Sequence, residues 1–187
     1  MASNVAGACA SKGPAPMEVD LTTQPSQPPA RSPCDEDAYN MNHKKRGKAV
    51  IFCNQNFKKQ DGTPLPDAEL AGYGMDAHRM VNTLTAMGWD PSDILVKKDL
   101  VRTDIKETMA QLKAIDHSDS DCVLVVVLSH GGKNECLSDA ESNSYGENEL
   151  WAPFVGVQSL VGKPKILIKQ ACRGTRVREL SLCFISK

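Results

Sequence analysis

Residues 122–132 read CVLVVVLSHGG, and residues 165–174 read KILIKQACRG. The first stretch is apolar from Cys122 through Leu128 and then meets His130 and two glycines. An unbroken apolar run of this length, rich in valine, suits a strand covered on both faces, so it belongs at the centre of a parallel sheet. The second stretch is read as a strand, Lys165 to Lys169, that runs into a tight turn presenting Cys172. Side by side in a parallel sheet, the two strands would bring a thiol and an imidazole to one edge. That is the arrangement of a cysteine nucleophile and its partner base.

Strands and helices alternate along the chain outward from this pair. Lys48 to Asn54, KAVIFCN, is a short apolar run suited to a buried strand. Residues 58–66, with Gly62, Pro64 and Pro66, read as a surface loop. Ala77, Met80, Val81, Leu84 and Met87 recur at helical spacing, which predicts a helix over 75–87 with those side chains packed inward and Gly88 as its stop. Asp93 to Lys97, DILVK, predicts a second strand. A second helix follows, capped by Thr103, with Asp104 in its first turn and Ile105, Met109 and Leu112 as its buried stripe. Residues 135–149 are polar and loop-like, and 151–160 suit a short helix or turn. This order predicts an α/β fold with a largely parallel, doubly wound sheet. In such sheets ligands gather beyond the carboxyl ends of the strands, where His130 and Cys172 both fall.

Bulk properties narrow the function classes. The chain has 187 residues, 41% of them hydrophobic, which suits one domain with a real core and a tail. A net charge of −1 gives no reason to expect nucleic acid or an anionic membrane as partner. No apolar run approaches the roughly 20 residues of a spanning helix, and the N-terminus lacks the pattern of a secretory signal. The 7 cysteines form no C-x-x-C pair and no zinc signature, so free thiols in a reducing cytoplasm are expected, with no metal or other cofactor. Residues 1–38 carry six prolines among Ser, Thr and Gln and few large apolar side chains, and read as a disordered leader.

A cysteine nucleophile acts as thiolate, and a neighbouring imidazole can later protonate the leaving amine. Gly131, beside His130, can offer a backbone N–H to an oxyanion, and Cys172 can offer its own. Taken singly, a histidine or cysteine at a strand end is usually inert; the pairing gives them weight. Ser129 is set aside as a nucleophile because neighbours on a strand point to opposite faces. Cys53 and Cys122 lie within strands and read as packing thiols.

Gln170-Ala171-Cys172-Arg173-Gly174 is the active-site pentapeptide of the caspases, and Ser129-His130-Gly131 is similar to their histidine motif. The two are 42 residues apart, near the ~50 of that family. Tyr39-Asn40-Met41, Arg46-Gly47, Asn54, Gly72, Asp76, Asp99-Leu100 and Gly162-Lys163-Pro164-Lys165 add to the match, so residues 39–175 resemble a caspase large subunit. The resemblance implies a cytoplasmic zymogen linked to apoptosis that cuts protein substrates after aspartate. It implies Cys172 as nucleophile, His130 as catalytic histidine, Gly131 and Cys172 as oxyanion donors, and Gln170 in the pocket for the substrate aspartate. The short leader resembles that of executioner members, with Met17-Glu18-Val19-Asp20 and Asp37 as expected processing points.

Two departures accompany the match. Leu70 stands where the family pattern R-x-G-x-x-x-D has an arginine that grips the substrate aspartate. Residues 176–187, RVRELSLCFISK, do not resemble the family, whose chain continues into a small subunit. A truncated large-subunit form with a bare edge along 165–169 is therefore expected. Two functions follow: an endopeptidase that works once assembled with a small subunit, or a catalytically inactive short isoform that regulates full-length caspases by binding them or their substrates.

Overall fold

The protein is described here by a computed structural model covering residues 38–132, 136–173 and 176–185; for Asp67 and for 172–173 and 176–185 it describes the backbone alone. Among the described residues, seven strands and three α-helices follow in the order β1 (Ala49–Cys53), α1 (Tyr73–Ala86), β2 (Ile94–Lys98), α2 (Arg102–Lys113), β3 (Val123–Leu128), β4 (Leu137–Ser138), β5 (Ser144–Tyr145), α3 (Asn148–Trp151), β6 (Lys165–Arg173) and β7 (Arg176–Ile185). The main sheet has the order β2-β1-β3-β6-β7. Its first four strands are parallel, and β7 is antiparallel to β6.

The continuous apolar run of 123–128 is buried at every position because both faces of the sheet are covered. Val123, Val125 and Val127 pack with Ile105, Met109 and Leu112 of α2 and with Leu150 of α3. Leu124, Val126 and Leu128 pack on the other face with Tyr73, Ala77 and Leu84 of α1. β1 goes to β2 on one side and the chain returns to β3 on the other, so the strand order reverses between β1 and β3. A crevice forms outside the carboxyl ends of strands at such a point.

Local chemistry explains the helix boundaries. α1 ends in a Schellman turn: Trp89 N–H donates to the Leu84 carbonyl at 3.0 Å, Gly88 N–H donates to that of Thr85 at 3.0 Å, and Gly88 sits at φ 96°. Met87, expected inside, is 58% exposed because the helix has ended and the chain has turned to bury Trp89 instead. Thr103 is not the cap of α2. The helix starts at Arg102, whose N–H donates to Asp139 Oδ2 at 2.8 Å, so a carboxylate distant in sequence serves its first turn. The polar stretch 135–149, expected as a loop, holds the β4–β5 hairpin, which buries Leu137 and Tyr145 beneath its polar residues.

The edge of β6 is not bare. β7 pairs with it from Lys165↔Ile185 to Arg173↔Arg176. An unpaired β6 would leave a row of N–H and C=O groups that a following strand can satisfy.

His117, in the loop after α2, is fully buried, with Nε2 3.0 Å from the Leu112 carbonyl and no hydrogen-bond partner for Nδ1 among the described residues. Burial, with a smaller push from Lys163, holds its imidazole below the ordinary histidine range against the opposing Leu112 bond. Below about pH 6.5 the unfolded chain therefore takes up a proton that the folded chain refuses. Stability should be full above that pH and fall below it, by up to about 1.4 kcal/mol per unit from this group. Urea unfolding at pH 7.5 and 5.5 checks it: His117→Phe should flatten the slope, and an unchanged slope refutes the assignment.

Candidate active site

The site is built first by strand register. Leu128 of β3 lies opposite Gln170 of β6, and Ser129 N–H donates to the Gln170 carbonyl at 3.2 Å. Two residues further along each chain come His130 and Cys172. The parallel ladder therefore brings these positions to the same height on adjacent strand ends. Cys172 does not lie in a tight turn: β6 runs on through it to Arg173, because β7 supplies a pairing partner that far. The β6–β7 register shifts between Ala171 and Arg173, so Cys172 sits at the irregularity. Gly174, expected to turn the chain, lies outside the described residues.

His130 is half-buried and held from two sides. Its Nε2 lies 2.7 Å from the carbonyl oxygen of Ala68, at the end of the short helical turn Pro66–Ala68. A carbonyl only accepts, so Nε2 carries the hydrogen, and in the neutral ring Nδ1 keeps the free lone pair. The ring of Phe57 packs on the imidazole, with centroids 4.7 Å apart and planes at 47°.

Gly131 faces Leu137 across an antiparallel bridge. The flanking bonds, Gly132 N–H to the Cys136 carbonyl at 2.8 Å and Ser138 N–H to that of His130 at 2.9 Å, mark Gly131 as the non-bonded position. Its N–H consequently points away from β4, where it can serve an incoming anion. Gln170 is half-buried, and alternation along β6 assigns it to the α1 face with Ile166 and Ile168.

Buried polar groups fix these loops to one another. Asp139, fully buried, accepts from the N–H groups of Arg102, Glu141 and Asn143 and from the Asn143 side chain. Asn54 donates to the Ser138 carbonyl at 3.1 Å and accepts from Leu100 N–H at 3.2 Å. Ser129 spends its hydroxyl on the same Ser138 carbonyl at 2.6 Å, a structural use consistent with setting it aside as a nucleophile. Asp99, at φ 51°, accepts from the N–H groups of Gln55 and Asn56 at 2.7 and 2.9 Å.

The other cysteines differ in kind. Burial raises the Cys53 thiol, and burial pushes the Cys122 thiol up to about 12, so both remain protonated packing groups. Leu70, at the family's arginine position, is 6% exposed in the core with Phe57 and Tyr73. Asp20 and Asp37 lie outside the described residues. Among the described residues no group of three His, Cys, Asp or Glu side chains could hold a metal, and no helix is long and apolar enough to cross a membrane. Sequence reasoning missed Ala68 and Phe57. A backbone carbonyl leaves no side-chain signal, but one aromatic within the polar run 54–64 was a visible clue.

The chain is similar to known proteins. A family model described as Caspase domain matches residues 46–182. Caspase-1 of Spodoptera frugiperda is 34% identical over 157 residues, covering 79% of this chain and 48% of that protein. Caspase drICE of Drosophila melanogaster is 35% identical over 141 residues, covering 74% and 39%. The crystal structure of caspase-1 from Spodoptera frugiperda superposes with a TM-score of 0.65 at 35% identity, covering 80% of this chain and 57% of that one. The chain thus spans about half the length of the curated relatives it matches. With the parallel sheet, the histidine and cysteine at neighbouring strand ends and a domain match over most of its length, the chain belongs to the caspase family.

Proposed function

We infer that the chain provides the nucleophile and base of a cysteine endopeptidase that cleaves protein substrates after aspartate, in the cytoplasm and in apoptosis, once joined to a small subunit. The observation that supports this reading is the β3–β6 register, whose last pair Leu128↔Gln170 stands two residues before His130 and Cys172 on their strands, together with the Ala68 bond that occupies His130 Nε2 and leaves Nδ1 its lone pair. Nδ1 takes the Cys172 proton, and the thiolate Sγ attacks the substrate carbonyl carbon. The oxyanion is met by the N–H groups of Gly131 and Cys172. As the C–N bond breaks, the imidazolium returns its proton to the leaving amine, and water then hydrolyses the thioester. Residues 1–38 are the leader in this reading, removed after Asp20 or Asp37, and 39–175 form the large-subunit domain.

One observation favours a second reading, a non-catalytic regulator that binds full-length caspases or their substrates. Leu70 is buried in apolar company at the position where a cation would grip aspartate. The test is release of fluorophore from an aspartate-ended peptide by the purified chain, alone and with a full-length caspase, with Cys172→Ala as control. Signal that depends on Cys172 supports the endopeptidase. An effect on the added caspase that survives Cys172→Ala supports the regulator.

A further inference from the structure

We propose that Phe57 is a positioning residue that fixes the orientation and tautomer of His130; the inference rests on the endopeptidase reading for its kinetic part only. The Phe57 ring lies tilted against the imidazole, and the Ala68 carbonyl meets Nε2. Both hang from one short frame, residues 55–57. Leu65 N–H donates to the Phe57 carbonyl at 2.8 Å, Ala68 N–H donates to that of Leu65 at 3.0 Å, and Leu70 N–H donates to that of Gln55 at 3.0 Å. The segment that carries Ala68 is therefore bonded to the segment that carries Phe57. The frame is itself anchored by Asp99, which binds the N–H groups of Gln55 and Asn56, and by Lys58 N–H to the Ala140 carbonyl at 2.9 Å.

The division of labour follows from geometry. A single hydrogen bond at Nε2 fixes one point of the ring and leaves rotation about the Nε2···O direction open. A buried aromatic surface against the ring closes that freedom, and Phe57 is only 3% exposed, so it cannot itself swing away. With both contacts in place, Nδ1 faces one direction. Without the ring, the imidazole can turn, release Ala68 and take the other tautomer.

The experiment is a long-range nitrogen–proton NMR spectrum of the histidine rings in the full chain, with His130 assigned by its loss in His130→Asn. Wild type should give one His130 tautomer with hydrogen on Nε2. Phe57→Leu keeps an apolar side chain and the fold, and should give mixed or averaged His130 nitrogens; Phe57→Tyr should restore the wild-type pattern. An unchanged His130 pattern in folded Phe57→Leu overturns the proposal, as does failure of Phe57→Tyr to restore it. In any preparation with Cys172-dependent turnover, Phe57→Leu should lower kcat by up to about 10²-fold with KM within about twofold. A fall confined to KM overturns the positioning role. Absence of turnover in wild type, both alone and with a full-length caspase, would overturn the endopeptidase reading and not the positioning, because the NMR result decides the positioning without it.

Discussion

His130→Ala should lower kcat for Cys172-dependent peptide cleavage about 10³-fold or more, with little change in unfolding temperature. General acid–base groups contribute about 10² to 10⁴ in rate, and members of a nucleophile–base unit fail together rather than additively. In the proposed reading His130 has both tasks: it takes the thiol proton and later protonates the leaving amine. Its Nε2 is committed to Ala68, so no rearrangement within the ring can offer a second base from the same residue. The replacement costs the fold little, since His130 is half-buried at a strand end rather than inside either apolar face. The pair His130→Ala with Cys172→Ala should be no slower than either alone. A fall of less than tenfold for the histidine variant would mean that another group activates the thiol.

Gly47→Ala should destabilise the protein by about 4 kcal/mol or prevent a folded product from accumulating. Gly47 sits at φ 116°, and a Cβ there would lie 1.8 Å from the carbonyl oxygen of Cys122. Neither obstacle is a side chain that could swing aside. Around Gly47 the segment entering β1 is bonded to the start of β3: Cys122 N–H donates to the Arg46 carbonyl at 3.1 Å, and Leu124 N–H donates to that of Lys48 at 3.0 Å. Asp121, itself buried, adds bonds to His43 and Arg46. Making room for one methyl group means parting the two central strands. Urea unfolding measures the cost, and a loss below 1 kcal/mol would show that the strands can shift freely.

The central sheet and the level of the site were legible because they depend on patterns local to a strand. A run buried on both faces has no polar break, so 122–128 declared its place. The rule that sites gather beyond strand ends then brought His130 and Cys172 together. What escaped was decided across the chain. Thr103 looked like a cap, yet Asp139 does that work from a hairpin that sequence pattern read as loop. Met87 kept helical spacing one step too far, since the helix ends at Ala86 and the chain turns at Gly88. Residues 176–185 mix charge and apolar side chains, and only the open flank of β6 explains why they lie in a sheet. Ala68 acts through its main chain, which no side-chain pattern encodes.

The pairing of β7 with β6 also sets the terms for any competitor. Residues 174 and 175 alone join the two strands in sequence, so the tethered strand meets its edge at an effective concentration on the order of millimolar or above. A free polypeptide offering a strand to β6 would have to outbind that tether, not merely match it. Association at this flank is thus governed by exchange: cutting or loosening the link near 174–175 would strengthen an incoming strand's apparent affinity without altering a single contact it makes.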